Sequence, residues 1–183
     1  MKIAISGAHG QGKTTLLNAL KQLELFANYK FVDSPTRSLI GTQEINESGT
    51  QDTQVHIMTQ HYINQTSNNI ILDRCALDGM AYTNYFISQG KLNITIADAL
   101  EKMYRYLIQQ YSLIFYIEPE IPLSSDGTRS IDSYFFNQIK YNFEHLIRRD
   151  QIKITSLSGT TEQRIQKFVD TFHIYNTIKY GNR

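Results

Sequence analysis

The sequence lacks several features that would place it outside the ordinary globular class. Its 183 residues include one cysteine, Cys75, and no tryptophan. A single cysteine excludes an internal disulfide and fits a reducing cytoplasm. No apolar run approaches the roughly 20 residues that a bilayer-spanning helix needs, so we expect no membrane partner. The opening Met-Lys leads directly into an apolar run, which predicts that no signal peptide is present.

Neither sign of charge dominates the chain. It has 18 Lys and Arg residues against 17 Asp and Glu residues, a formal net charge of +1. This balance excludes a global basic field that would recruit nucleic acid. A local basic groove stays open, and we consider nucleic acid only as a substrate. A content of 41% hydrophobic and 19% charged residues is typical of globular proteins, and the length favours one domain, residues 1–183, with a substantial core.

A glycine-rich stretch near the start carries the most specific motif. Residues 3–17 read IAISGAHGQGKTTLL: a short apolar run, a turn and the start of a helical pattern. Gly7, Gly12, Lys13 and Thr14 match G-x-x-x-x-G-K-[ST], the phosphate-binding P-loop. The glycines let backbone N–H groups converge on a triphosphate, Lys13 reaches its β- and γ-phosphates, and the Thr14 hydroxyl is a Mg2+ ligand. The residues predicted to bind ATP are Gly7, Ala8, His9, Gly10, Gln11, Gly12, Lys13, Thr14 and Thr15.

Strand and helix patterns alternate along the chain. This alternation predicts an α/β protein whose parallel sheet is covered by helices on both faces. The last helix has the clearest start, because Thr160 and Gln163 have capping-box spacing. The segment 34–50 is polar and predicts a loop. Strands are predicted over about 2–6, 31–33, 70–73, 113–117 and 152–154, and helices over about 13–25, 51–66, 78–88, 95–110, 132–149 and from 161 onward, with an ambiguous end after 173.

Strand 3 ends in a second marker, Asp73-Arg74. In an open parallel sheet the ligand lies at the carboxyl ends of the strands, so Asp73 should lie beside the P-loop. A carboxylate there holds Mg2+ or accepts a proton from a substrate hydroxyl. Arg74 could clamp an anionic oxygen. The alternative for both residues is a salt-bridged strand end without chemistry.

The acceptor side of the site has weaker markers. Asp33 ends strand 2, and Arg37 follows four residues later; they could bind an acceptor hydroxyl and an acceptor phosphate. The alternatives are an Asx-type turn and a solvated arginine. Asp78, Tyr82 and Phe86 follow the Asp-Arg pair, and the last two could stack a base. Aromatic residues at this helical spacing are equally compatible with the core.

A loop between strand 4 and the next helix could close over the site. Residues 125–130 read SDGTRS, within a lid loop predicted at about 120–131. Closure would exclude water and bring Arg129 to the transferring phosphoryl group. The alternative is an ordinary Asp-Gly turn.

Four segments together resemble a family: GAHGQGKTT at 7–15, LDRC at 72–75, DGTRS at 126–130 and SGTTEQR at 158–164. Their order is similar to small P-loop kinases of the nucleoside and nucleotide kinase group. That group includes thymidylate kinases, deoxynucleoside kinases and the ribosylnicotinamide kinase domain, and the chain is most similar to the phage and bacterial ATPase-like branch near the last. The resemblance implies a three-layer P-loop kinase fold with strand order 2-3-1-4-5 and the cofactors ATP and Mg2+.

The resemblance also implies roles for individual residues. Asp73-Arg74 matches the Asp/Glu-Arg pair that supplies a metal ligand or base and a phosphate-binding arginine, and Arg129 matches the lid arginine. Residues 158–161 lie where the loop after strand 5 borders adenine. Two departures leave the acceptor open: Cys75 follows the Asp-Arg pair, and residues 33–35 read Asp-Ser-Pro where thymidylate kinases have Arg-Glu-Pro. We expect Cys75 to be a buried small residue rather than a nucleophile.

Three functions follow from these residues. The favoured one is a (deoxy)nucleoside monophosphate kinase, in which arginines offset the repulsion between two phosphates. The alternatives are a hydroxyl kinase for a nucleoside, ribosylnicotinamide or a hydroxylated base in DNA, which needs a carboxylate base, and a nucleotide-binding switch or ATPase module. The oligomeric state stays open, a homodimer included. The predicted catalytic residues are Lys13, Asp33, Asp73, Arg74 and Arg129; the predicted substrate ligands are Asp33, Arg37, Arg74, Asp78 and Tyr82; the predicted metal ligands are Thr14 and Asp73.

Overall fold

The protein, described as a computed structural model, is built on a five-stranded parallel sheet. The structure describes residues 1–124 and 130–181. The strands are β1 (Lys2–Ser6), β2 (Lys30–Val32), β3 (Ile70–Asp73), β4 (Leu113–Ile117) and β5 (Thr155–Leu157). They lie in the order β2-β3-β1-β4-β5, and every neighbouring pair is parallel. The predicted fold class and strand order are therefore confirmed.

Helices cover both faces of the sheet and bury alternate residues of its strands. The helices are α1 (Lys13–Leu20), α2 (Gln51–Asn64), α3 (Ala76–Ser88), α4 (Ile94–Ile108), α5 (Ser133–Arg149) and α6 (Thr161–Tyr180), with short 3-10 helices at Glu24–Phe26, Pro35–Leu39 and Asn46–Ser48. Ala4 of β1 packs into one core with α3, α4 and α5, whereas Ile3 and Ile5 face a second core formed with α1 and α6. This alternation is the two-residue period of a strand buried on both sides.

The sequence pattern predicts the position of most helices and strands well, but it predicts the position of β5 poorly. Asp132 caps α5 and Thr160 caps α6 through a capping box, as predicted. The predicted β5 at 152–154 is wrong, because Ile152 and Ile154 pack against the core in the connection after α5 and the strand forms three residues later. Leu157, opposite Ile117 in the register, is its fully buried residue.

The structure refines several other parts of the sequence prediction. Helix α1 ends at Leu20, and the buried Phe26 lies in a separate 3-10 helix. Helix α3 begins at Ala76, because Asp78 accepts the Cys75 N–H and so caps the helix from its third position. Helix α6 continues through the ambiguous tail, and the predicted loop 34–50 contains two 3-10 helices.

Part of the predicted lid is not described. Residues 125–129, with Arg129 and most of the DGTRS segment, lie outside the described residues. Among the described residues, no helix is both long enough and apolar enough to cross a membrane.

Candidate active site

The P-loop follows β1 and turns sharply into α1. Gly7 has a φ of 138° and Gly12 a φ of 85°, in the region that glycine tolerates and other residues avoid. A Cβ on Gly7 would lie 2.8 Å from the carbonyl oxygen of Ile117, so the loop packs directly on β4. The buried Lys13 donates from Nζ to the carbonyl oxygens of Gly7 (2.7 Å) and Ala8 (2.5 Å). The loop thus curls around an ammonium group, as a phosphate-binding loop requires.

The first turn of α1 offers further groups to an anion. The helix begins at Lys13 after Gly12, and no side chain caps it. The first turn of a helix favours a phosphate through its N–H groups and the positive end of the helix dipole. Gly10 and Gln11 border the same cavity as Lys13, whereas Thr15 is exposed on the helix. Residues 10–14 are therefore a part of the motif that borders the cavity.

Thr14 and Asp73 meet because β1 and β3 are neighbours, with Ile5 opposite Asp73. Thr14 Oγ1 donates to Asp73 Oδ2 over 2.9 Å, and Asp73 is 2% exposed. One hydroxyl and one carboxylate oxygen, completed by phosphate and water oxygens, suit the octahedral oxygen coordination of Mg2+. Among residues 1–124 and 130–181, no cluster of three His, Cys, Asp or Glu side chains could hold a metal alone. The pair therefore fits a Mg2+ ion that a nucleotide brings with it.

Arg37 contacts the same two oxygen atoms, Thr14 Oγ1 and Asp73 Oδ2. Its Nη2 donates to Thr14 Oγ1 over 3.0 Å and lies 3.8 Å from Asp73 Oδ2. The side chain is 44% exposed, and its other terminal nitrogen, Nη1, lies 3.9 Å from the exposed Asp33. A cation at this position can move to another anion at little cost.

Arg74 is held beneath the P-loop by two neighbours on α3. Its Nη1 donates to Asp78 Oδ1 over 3.3 Å, and its guanidinium carbon lies 5.4 Å from the centre of the Tyr82 ring. Burial alone would lower the pKa of Arg74, but Tyr82 and Asp78 raise it above its usual range, so the group stays charged. Asp78 also accepts the N–H groups of Gly7 (3.3 Å) and Cys75 (3.0 Å). The Asp78 carboxylate oxygens are occupied by Arg74 and by these two backbone N–H groups, which leaves Asp78 little capacity to bind an acceptor.

Two side chains of the predicted site belong to the protein core. His9 stacks on Phe135, with ring centres 5.5 Å apart, and its Nδ1 is hydrogen-bonded to the Tyr82 hydroxyl at 3.0 Å. His9 and Tyr82 still border the cavity, but each is committed to the other. Cys75 is fully buried, and burial raises the pKa of its thiol, so it is protonated at neutral pH.

The structure does not bring Asp33 into the site. Strand β2 ends at Val32, one residue earlier than predicted, so Asp33 lies beyond it. Its side chain is 54% exposed and pairs with Lys21 at 3.6 Å and Arg37 at 3.9 Å. The described cavity is bordered by Ser34 and Arg37 but not by Asp33. The predicted roles of Asp33 as base and acceptor ligand therefore have no geometric support.

One cavity of about 440 Å³ joins these groups. It is bordered by the P-loop from His9 to Thr14, by the 3-10 helix Pro35–Leu39, and by one face each of α2 and α3. Asp73 and Arg74 lie between these walls. A phosphate on Lys13 and a second molecule against α2 would therefore share one cavity.

A second set of contacts, which no sequence motif predicts, holds the P-loop from the other side. Arg164 of α6 is 4% exposed and donates from Nη1 to the carbonyl oxygen of Gln11 at 2.8 Å. Its Nη2 lies 3.2 Å from Glu120, which accepts the Gly159 N–H at 2.8 Å. In a trans peptide the C=O of Gln11 and the N–H of Gly12 point in opposite directions, so this bond directs the Gly12 N–H away from Arg164. Nothing local in SGTTEQR signals a contact 153 residues away.

Comparisons with known proteins agree with this architecture. An AAA domain family model matches residues 2–164. Deoxyadenosine kinase from M. mycoides, with dCMP and dCDP bound, is 15% identical with a TM-score of 0.66; the match covers 94% of this chain and 98% of that one. NadR in complex with NR is 20% identical with a TM-score of 0.72, covering 95% of this chain and 51% of that one.

A third solved structure and the curated sequences complete the comparison. Thymidylate kinase from Candida albicans is 20% identical with a TM-score of 0.67, covering 94% of this chain and 91% of that one. At these identities the likeness establishes the fold, which is that of the P-loop nucleoside and nucleotide kinases. No curated protein gives a significant match. Because the family model spans nearly the whole chain, from β1 to the first turn of α6, this protein belongs to the AAA domain family.

Proposed function

We propose that the chain is a (deoxy)nucleoside monophosphate kinase that transfers the γ-phosphate of ATP with Mg2+. The observation that carries the proposal is the shared cavity, which is bordered by Lys13, Arg37 and Arg74. A monophosphate acceptor is already an anionic nucleophile, so it needs nearby cations more than a base. The two arginines meet that need, whereas Asp33 lies outside the cavity.

The donor half of the reaction follows from the P-loop. Lys13 and the first-turn N–H groups would hold the β- and γ-phosphates, and Arg164 keeps the Gln11–Gly12 peptide in the orientation this requires. Thr14 and Asp73 would hold Mg2+, which neutralises charge on the phosphate oxygens when bound. Lys13, Thr14 and Asp73 all border the same cavity, which supports a donor site that is largely preorganised.

The acceptor half of the reaction depends on Arg37, whose exposed side chain can change its partner at little cost. A phosphate oxygen of the acceptor attacks the γ-phosphorus, the bond to the β–γ bridging oxygen breaks, and ADP leaves. Arg37, held by Thr14, Asp73 and the exposed Asp33 in this structure, would turn to the acceptor phosphate. Arg74 stays paired with Asp78 and adds positive potential to the cavity that it borders.

A hydroxyl acceptor is the second candidate, and one observation favours it. Asp73 is a buried carboxylate that borders the cavity, and a carboxylate there can accept the proton of a sugar hydroxyl. Structural neighbours include a deoxyadenosine kinase and a complex of NadR with NR. Under this hypothesis the general base is Asp73 and not Asp33.

A turnover screen separates the candidates. The purified chain is given ATP and Mg2+ with each ribo- and deoxynucleoside and each of their monophosphates, and ADP release is measured by a coupled assay. We expect at least one monophosphate to raise ADP release about tenfold or more over ATP alone, and Lys13→Ala to abolish the increase. Turnover with nucleosides only would establish the hydroxyl kinase. ADP release that no acceptor changes would contradict both and support an ATPase or switch.

A further inference from the structure

The wall of the cavity that α2 contributes carries polar groups to which phosphate transfer gives no role. Gln54, Ile57 and His61 lie at i, i+3 and i+7, on one face of the helix, and all three border the cavity. Phe86 of α3 borders it as well. Neither Gln54 nor His61 belongs to a motif in the sequence.

His61 is the unusual member of this wall. It is 1% exposed, and neither ring nitrogen has a hydrogen-bond partner among the described residues. Burial, with a smaller contribution from the charge of Arg74, lowers the pKa of His61 to about 3. At neutral pH the ring is therefore uncharged and presents one N–H donor and one lone-pair acceptor. Buried polar atoms left unpaired cost folding free energy, so their retention beside a cavity points to a ligand.

The backbone of α3 makes room for this ring. A Cβ on Gly79 would lie 3.3 Å from Cδ2 of His61 and 3.1 Å from Cε of Met58. Gly79 therefore lets α3 approach α2 closely enough to enclose the imidazole. The enclosure limits rotation of the ring and fixes where its two nitrogens can form hydrogen bonds.

Gln54 is oriented by a neighbour in the same way. Its Oε1 lies 3.3 Å from Thr83 Oγ1, a hydroxyl that also donates to the Gly79 carbonyl oxygen at 2.8 Å, and Gln54 is 3% exposed. Between the two polar side chains lies the apolar Ile57, and the Phe86 ring lies on the facing helix. A ligand that fits this wall is flat, with apolar faces and an edge that carries both donors and acceptors. A nucleobase has these properties, and a sugar phosphate does not.

We propose that His61, together with Gln54, hydrogen-bonds the edge of the acceptor's nucleobase and determines which base is accepted. This inference rests on the proposed function, since it names the part of the acceptor that the α2 wall binds. Discrimination arises because a base with a mismatched edge leaves the enclosed imidazole unpaired again.

The test compares His61→Phe with His56→Gln. Phenylalanine keeps a flat ring of similar size and removes both nitrogens, and His56 lies on the same helix without bordering the cavity. For each protein, kcat/KM is measured with every monophosphate and nucleoside. We expect the ratio between the best and second-best base to fall at least about tenfold in His61→Phe and to stay within about twofold in His56→Gln. Should His61→Phe fail to fold, Gln54→Met is measured in its place and is expected to lower the same ratio.

Two outcomes overturn the inference, and a binding measurement separates it from the proposed function. An unchanged base ranking in the variant, or equal turnover with sugar phosphates that lack a base, would show that the α2 wall does not read a base. If no acceptor is turned over, affinities of the same compounds are measured by calorimetry without ATP. Base-selective binding that His61→Phe removes would support the inference while the kinase proposal fails. Absence of any base-dependent binding would overturn the inference.

Discussion

The buried imidazole of His61 should make the protein lose stability in mild acid. The ring is neutral in the folded protein because burial lowers its pKa to about 3. In the unfolded chain a histidine titrates near pH ~6.5. The unfolded state therefore binds an extra proton at pH values between these two, and protonation favours unfolding. The contribution of His61 to stability is fully present above about pH 6.5 and is lost as the pH falls toward about 3.

The size of the effect at pH 5 depends only on the unfolded-state pKa. At about 1.5 pH units below that value, with the folded ring still neutral, the free energy of unfolding falls by about 2 kcal/mol relative to pH 7.5. That is a sizeable share of the roughly 5–15 kcal/mol by which a natural domain is stable. His61→Phe cannot bind the proton and should not show this loss.

Urea unfolding at pH 7.5 and pH 5 measures the effect, with fluorescence and circular dichroism followed in parallel. Subtracting the His61→Phe values from the wild-type values cancels the carboxyl groups, which titrate in both proteins. We expect this wild-type-minus-variant value to differ by about 2 kcal/mol between the two pH values. Equal pH dependence in wild type and His61→Phe would refute the conclusion that this ring is buried and neutral.

Three further predictions concern the P-loop and its neighbours. Asp73→Asn should lower the rate of phosphate transfer at least about 100-fold and weaken its dependence on Mg2+. Asp33→Asn should keep the rate within about threefold of wild type, because of these two residues only Asp73 borders the cavity. Equal losses in steady-state assays would contradict this placement. Arg164→Gln should raise the KM for ATP about tenfold with a smaller change in kcat, since it frees the Gln11 carbonyl; an unchanged KM would show that the contact is only structural. Gly7→Ala should destabilise the fold by about 2 kcal/mol or more in urea titrations, because its Cβ would meet the Ile117 carbonyl and its φ is positive; a wild-type midpoint would contradict the described packing.

The parts of the fold that could be predicted were those with local causes. β3 and β4 are continuous apolar runs because both faces of the sheet are covered, and they lie where predicted. β5 was misplaced because Ile152 and Ile154 are apolar for a different reason: they fill the connection that packs against the core after α5. Apolar character alone cannot distinguish these two situations.

The site shows the same division. Thr14 and Asp73 could be brought together in advance, since the carboxyl ends of neighbouring parallel strands meet. The same logic predicts Asp33 at the site, but β2 ends one residue earlier and the exposed side chain pairs with Lys21 and Arg37.

The groups that were missed depend on tertiary contacts. His61 becomes notable only when α3 approaches it at Gly79 and buries both nitrogens. Arg164 contacts Gln11, which lies 153 residues earlier in the sequence. His61 is an ordinary polar residue of a helix in the sequence, and nothing in the SGTTEQR segment indicates that Arg164 contacts the P-loop.

The transfer of phosphate itself is the most direct test of the proposed function. The chain is incubated with γ-labelled ATP, Mg2+ and the acceptor that performs best in the turnover screen, and the products are separated and identified by mass. The proposed function predicts that the label appears on a nucleoside diphosphate in step with ADP, and that Lys13→Ala forms none. Label found only in inorganic phosphate, at a rate that the acceptor does not change, would contradict it.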